Sequence, residues 1–262
     1  MERHEKAARF QELHARPGAF VIANAWDAGS ARALAGLGFE ALATSSGAWA
    51  SSLGRVDGQV TRDEALAGAR AIAAAVDLPV SADLEKGFGD SPRDCAETIR
   101  LAAEAGCVGG SIEDATGRPE QPIFDFAHAV ERVAAAVEAA RALPFPFTLT
   151  ARTENFLRGK TDLDDTIARL VAFERAGADV LMAPGLPDLA AVRAVCAALS
   201  KPVNYMIGMP GRSFSLAELE AAGVKRVSLA GSLYRVAMAG MLEAAREVRE
   251  RGTFGYVDRL RR

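Results

Sequence analysis

A chain of 262 residues, half of them hydrophobic and a quarter charged, has an ordinary globular composition and the length of one large α/β barrel or of two small domains. A formal charge of −3 with no Lys/Arg-rich block excludes the long-range field that gathers nucleic acid or an anionic membrane, and points to a small-molecule partner. Cys95, Cys107 and Cys196 are an odd number without CxxC or Cys/His spacing, which argues against disulfides and zinc.

In chain order, residues 1–18 (MERHEKAARFQELHARPG) read as an amino-terminal helix, too charged for a secretory signal. No stretch approaches the ~18 apolar residues of a membrane span, and the expected location is cytoplasmic. From there short apolar, β-branched runs alternate with stretches of helical spacing. The runs are 20–26 (FVIANAW), 41–47 (ALATSSG), 79–85 (PVSADLE), 108–114 (VGGSIED), 147–154 (FTLTARTE), 180–184 (VLMAP), 202–208 (PVNYMIG) and 226–232 (RVSLAGS). Helices are expected over 28–38, 61–76, 91–106, 124–143, 162–178, 187–200 and 215–223, most of them closed by Gly or Pro.

Eight such units predict a (β/α)8 barrel, whose active-site groups sit at the carboxyl ends of its strands. A doubly wound sheet is the competing architecture. Closure is favoured because no GxGxxG follows the first strand and because polar residues end nearly every strand instead of one switch point. With no Ser/Gly linker or composition shift, 1–262 reads as a single domain with a tail over 253–262.

Strand alternation turns Asp83 and Glu85 to one face, and likewise Arg152 and Glu154. Glu113 ends the fourth strand and leaves Asp114 facing away, while Asp57 lies in a loop (51–60) long enough to fold over the same mouth. Four carboxylates in one cavity repel and desolvate one another unless a cation neutralises them or their pKa values rise. All-oxygen donors select Mg²⁺ or Mn²⁺, with most of the acids touching metal-bound water. The corner Ser45-Ser46-Gly47 can present successive amides to a carboxylate or oxyanion. Arg152 can hold a carboxylate in fork geometry. Trp26 and Asn204 are further pocket candidates, with Asn24 beside them. Lys86 either pairs with Asp83 and Glu85 or holds substrate. His4, His14 and His128 read as surface or interface residues, and the Gly-Lys-Thr of 159–161 lacks the first glycine of a P-loop. Glycines after strands seven and eight leave open a phosphate-binding barrel.

The segments ATSSGAWASSLGRVDG, DLEKGFGD, SIEDATG and TARTENFLRG, in this order and spacing, resemble the isocitrate lyase / phosphoenolpyruvate mutase superfamily over about residues 18–235. The resemblance implies a (β/α)8 barrel, usually tetrameric, with its eighth helix exchanged between neighbouring subunits, and Mg²⁺ held against a 2-oxo acid. It matches Asp83 to the metal-coordinating acid, Asp57, Glu85 and Glu113 to the outer-sphere acids, Arg152 to the substrate-binding arginine and Ser45 to the serine whose neighbouring amides grip the oxo acid. The family's lyases carry a cysteine acid/base after the fourth strand, where this chain reads EDATGRPEQPIFDF. A pocket-lining aromatic of the mutase and the phosphonopyruvate hydrolase appears as Ala43, and a histidine of the mutase as Ala183. The metal and oxo-acid half of the site is kept, and the half that distinguishes the reactions is altered. Decarboxylation demands least of the altered half, which predicts cleavage of a C–C bond in a small 2-oxo acid or dicarboxylate through an enolpyruvate-type intermediate by a cytoplasmic homo-oligomer, dimer or tetramer. The alternatives are phosphonate P–C cleavage and a non-catalytic 2-oxo acid sensor.

Overall fold

The computed structural model describes residues 1–259, and the last three residues of the expected tail lie outside this range. Helix α1 (Arg3–Ala15) precedes β1 (Phe20–Asn24), α2 (Ala28–Gly36), β2 (Leu42–Ala43), α3 (Ser46–Ser52), α4 (Arg62–Ala75), β3 (Val80–Asp83), α5 (Pro92–Glu104) and β4 (Gly109–Glu113). A hairpin of β5 (Ala115–Arg118) and β6 (Gln121–Ile123) follows. Then come α6 (Phe126–Arg141), β7 (Thr148–Arg152), α7 (Leu163–Arg175), β8 (Val180–Met182), α8 (Leu189–Ala198), β9 (Val203–Met206), α9 (Leu216–Ala221), β10 (Arg226–Ser228) and α10 (Ser232–Arg251). Every strand but the two of the hairpin pairs in parallel, in the closed order β1-β10-β9-β8-β7-β4-β3-β2. This is the (β/α)8 barrel, and each of its strands falls inside one of the eight apolar runs.

Local chemistry starts the helices where the sequence pattern places them. Thr61 and Glu64 exchange side-chain-to-backbone hydrogen bonds at the start of α4, as do Ser91 and Asp94 at α5, where Pro92 presets the first turn. Asp27, Asp162 and Asp188 cap α2, α7 and α8. The helices bury small and branched residues such as Ile99, Ala102, Ala136 and Leu170 against the outer barrel wall.

Helix α1 closes the amino-terminal end of the barrel with Ala7, Phe10 and Leu13. Gly109 makes this possible, because a Cβ there would stand 2.8 Å from the Phe10 ring. His14, expected at the surface, packs edge-on to Phe10 and Phe20 instead, at ring separations of 4.8 and 5.0 Å. Helix α10 contrasts with all the others. It buries no residue, and Val236, Met241 and Leu242 stand 69%, 52% and 44% exposed. Among the described residues, no helix is long and apolar enough to cross a membrane.

Candidate active site

The carboxyl ends of the strands and the loops after them enclose a cavity of about 1190 Å³. At its centre β3 ends in Asp83, whose backbone N–H donates to Thr44 Oγ1 (2.8 Å). Ser46 donates both its backbone N–H (3.1 Å) and its hydroxyl (3.0 Å) to Asp83 Oδ2. Ser46 begins α3, and Ser45 caps that helix by accepting from the Ala48 N–H at 3.3 Å. At the Ser-Ser-Gly corner the Ser46 amide thus faces negatively charged oxygen, which here belongs to Asp83. Asp57 folds in from its loop as expected, and Gly47 gives it room: a Cβ at 47 would lie 3.3 Å from Asp57 Oδ2.

Glu85 reaches the cavity by a route other than strand alternation. The strand ends at Asp83, and Glu85 takes a left-handed conformation (φ 49°) fixed by Glu113 N–H donating to its carbonyl at 3.0 Å. A side chain in that region costs on the order of 1–3 kcal/mol. Glu154 similarly lies past the end of β7, and its N–H donates to the buried Asp114 at 2.8 Å. Asp114 in turn pairs with Arg169 at 3.2 Å, behind the site and facing away from it.

Arg152 is the hub. Its Nη1 donates to Asp83 Oδ1 (3.0 Å), its Nη2 to Glu154 Oε1 (2.7 Å), and Nη2 lies 3.2 Å from Glu113 Oε2. Arg158 approaches Glu113 and Glu154 at 3.8 and 3.9 Å. Glu154 was read only as sharing a face with Arg152 and Arg158 was not singled out from sequence; the further signal is the i,i+4 spacing of their opposite charges after a strand ending in Arg152.

The acids carry the mark of this crowding. Burial, then the charges of Asp83 and Asp57, pushes Glu85 up to about 8. Burial and then Glu154 hold Glu113 well above the carboxylate range, with Arg152 opposing. Asp57 is raised by burial and by Asp83, against a hydrogen bond from Ser46. Burial works against the charge of Arg152, yet Glu154, Glu113 and Asp83 hold its guanidinium well above the ordinary range. Asp57, Asp83, Glu85, Glu113 and Glu154 crowd around Arg152 and Arg158 in a cavity that Arg55, Lys86, Arg118, Arg226 and Arg235 also line. Such a donor set fits a hard divalent cation. Among the described residues, no three acidic, His or Cys side chains converge on one point, so a cation here would take few direct protein ligands and would keep water, as Mg²⁺ usually does.

The remaining candidates sort by contact. Lys86 lines the cavity but does not pair with Asp83 or Glu85; it donates instead to Asp90 Oδ1 (2.6 Å) and the Thr116 carbonyl (2.8 Å). Arg118 also pairs with Asp90, so these contacts tie the β5–β6 hairpin to the rim. Asn24 is structural, joining the Thr44 carbonyl (2.7 Å) to the Leu229 N–H (2.9 Å). Trp26 stands behind the cavity wall, edge-on to Tyr234 at 5.5 Å, and it is Tyr234 that lines the cavity. Asn204 and Ala43 line it as well, whereas neither a Cys nor a His does so among the described residues. Burial pushes the thiols of Cys95, Cys107 and Cys196 up to about 11, 12 and 11.

A closed parallel barrel with acids and a clamped arginine at its carboxyl-end mouth has its candidate site where barrel enzymes carry theirs. Residues 10–249 match the phosphoenolpyruvate phosphomutase family. The chain belongs to the isocitrate lyase / phosphoenolpyruvate mutase superfamily. It is similar to a protein of Burkholderia cenocepacia J2315, assigned only as lyase/mutase, whose crystal structure superimposes with a TM-score of 0.97 at 58% identity, covering 99% of this chain and 93% of that one. It is 31% identical to the 2-methylisocitrate lyase of Escherichia coli strain K12 over 82% of this chain and 75% of the relative. It is 29% identical to the oxaloacetate decarboxylase of Ectopseudomonas mendocina strain ymp over 94% of this chain and 85% of the relative. These likenesses to lyases and mutases support an enzyme.

Proposed function

We propose that the protein is a Mg²⁺-dependent (or Mn²⁺-dependent) carbon–carbon lyase for a small 2-oxo acid, of the oxaloacetate-decarboxylase type. The observation that carries this reading is the Arg152 clamp, tied to Asp83, Glu113 and Glu154 within a cavity to which no described Cys or His contributes. Asp83 would hold the cation directly, with Asp57, Glu85 and Glu113 reaching it through water. When bound, such a cation supplies a Lewis acid that draws electrons from the oxo acid. The amides of the Ser45-Ser46-Gly47 corner receive the oxo-acid oxygen atoms, and Arg152 Nη1, now on Asp83, is the donor a substrate carboxylate shares. Asn204 contributes a further polar contact from the barrel wall. The hairpin, tied to the rim through Asp90, limits bulk water.

In oxaloacetate the C3–C4 bond breaks, carbon dioxide departs, and the electron pair passes into enolpyruvate, which then takes a proton at C3. No thiol or imidazole is needed for the bond-breaking step, and this agrees with buried, protonated cysteines that do not line the cavity. We read the chain as one domain of a homo-oligomer in which α10, with its exposed Val236, Met241 and Leu242, packs on a second copy. Three free cysteines suit a reducing, cytoplasmic compartment.

Turnover of oxaloacetate, phosphonopyruvate and 2-methylisocitrate, each with Mg²⁺ and after EDTA treatment, tests the reading. Pyruvate released from oxaloacetate faster than by free Mg²⁺, and lost in Asp83→Ala, supports it. Phosphate released from phosphonopyruvate replaces it with P–C cleavage, and binding of a 2-oxo dicarboxylate with no product from any of the three replaces it with a sensor.

A further inference from the structure

The floor of the cavity holds a charge that the site above leaves unused. Arg226 begins β10, is 5% exposed and lines the cavity from beneath. Its Nε donates to Asn204 Oδ1 (2.7 Å) and its Nη2 to Thr150 Oγ1 (2.8 Å), while Nη1 lies 3.3 Å from His14 Nε2. All three partners are neutral. Burial, then the charge of Arg226, pushes His14 down to about 3, so it stays uncharged. Burial alone pulls Arg226 down, to about 9, with no acid opposing it, and the guanidinium remains protonated at neutral pH. A buried guanidinium without a carboxylate is costly, and an apolar side chain would fill a barrel floor at lower cost.

The contacts also orient what faces upward. Arginine can only donate, so Asn204 must turn Oδ1 to Arg226 and Nδ2 to the Ser228 hydroxyl, 3.0 Å away. Ser228 Oγ then accepts from Asn204, leaving its own proton free to donate into the cavity it lines.

We propose that Arg226 is a positioning residue for the anion bound in this cavity: through Asn204, whose amide donates to Ser228 and Met182, it fixes the Ser228 hydroxyl as a directed donor, and it sets an unpaired positive charge beneath the ligand, opposing the acids of the mouth. The assignment rests on the 2-oxo acid reading and names what steadies negative charge at the inner end of that ligand. His14 offers an independent handle, because it touches Arg226 from α1 and does not line the cavity. A carboxylate at position 14 would neutralise Arg226 without altering a cavity-lining side chain.

The test is calorimetric titration of the intact protein with oxalate in saturating Mg²⁺, together with thermal melting. Arg226→Met is expected to weaken oxalate by about tenfold or more without lowering the melting temperature, since removing an unpaired buried charge relieves desolvation. Arg226→Lys keeps the charge and is expected to stay within about threefold of wild type. His14→Glu is expected to weaken oxalate by about tenfold, and His14→Gln to leave it unchanged. Wild-type affinity in Arg226→Met or in folded His14→Glu overturns the assignment, and should His14→Glu not fold, Arg226→Met decides. Failure of the wild-type protein itself to bind oxalate with Mg²⁺ is a separate result, which overturns the 2-oxo acid reading and this assignment with it.

Discussion

Replacing Arg152 with Lys keeps one positive charge at the hub and removes its fork. The guanidinium serves Asp83 at 3.0 Å, Glu154 at 2.7 Å and Glu113 at 3.2 Å from two nitrogens set in a plane. An ammonium is a single point with a shorter reach, and it leaves at least one of these buried acids without its hydrogen bond. A hydrogen bond to a charged group contributes about 1.5–3 kcal/mol, so the loss is expected to be about 2 kcal/mol. In the proposed function the same Nη1 would be the donor offered to a substrate carboxylate, which makes the expected weakening of oxalate roughly 30-fold in Kd at saturating Mg²⁺. Stability should fall by a similar amount, a drop of about 5 °C in melting temperature for a chain of this size. Calorimetric titration and differential scanning calorimetry read the two effects separately. Oxalate affinity within about threefold of wild type, with an unchanged melting temperature, would refute Arg152 as the hub.

Asp83→Ala should abolish Mg²⁺-dependent oxalate binding with the barrel intact by circular dichroism, because Asp83 is the acid on which Ser46 and Arg152 converge. In the metal-free protein Glu85 keeps its proton up to about pH 8 when folded but ionises near 4.5 when unfolded, so the folded state binds more protons between these values. Melting temperature should therefore fall as pH rises from about 5 to 8, with Glu113 and Asp57 acting in the same direction, and millimolar Mg²⁺ should flatten that slope. Val236→Arg, on the exposed face of α10, should shift the molar mass by light scattering toward that of one chain, and an unchanged mass would remove α10 from the interface.

The barrel was legible because its two periodicities differ: runs such as 79–85 and 147–154 read as strands wherever the flanking 61–76 and 162–178 repeat at helical spacing. The helix Ser46–Ser52 was not, since SGAWASS has little apolar periodicity and is held by the Ser45 cap and by Asp83 at the end of the neighbouring strand. The hairpin was missed for a related reason, its strands being four and three residues long around Pro119. Asp83, Glu85, Glu113 and Arg152 were legible at strand ends and Asp57 in a loop folding over the same mouth, and the structure brings all five to one cavity. Alternation gave the right face for Glu85 for the wrong reason, because a left-handed turn aims it. Arg226 carried no signal at all, since a polar residue at the start of a strand ordinarily faces water and only closure of the barrel over α1 buries it.

Glu85 bears on any attempt to make this protein more heat-resistant. A redesign guided by backbone geometry alone would choose glycine at 85, where a left-handed torsion costs it nothing, and would gain about 1 kcal/mol while deleting an acid at the rim. A hardened variant of this barrel that keeps Glu85 must find its gains among the outer helices, well away from the turn that follows β3.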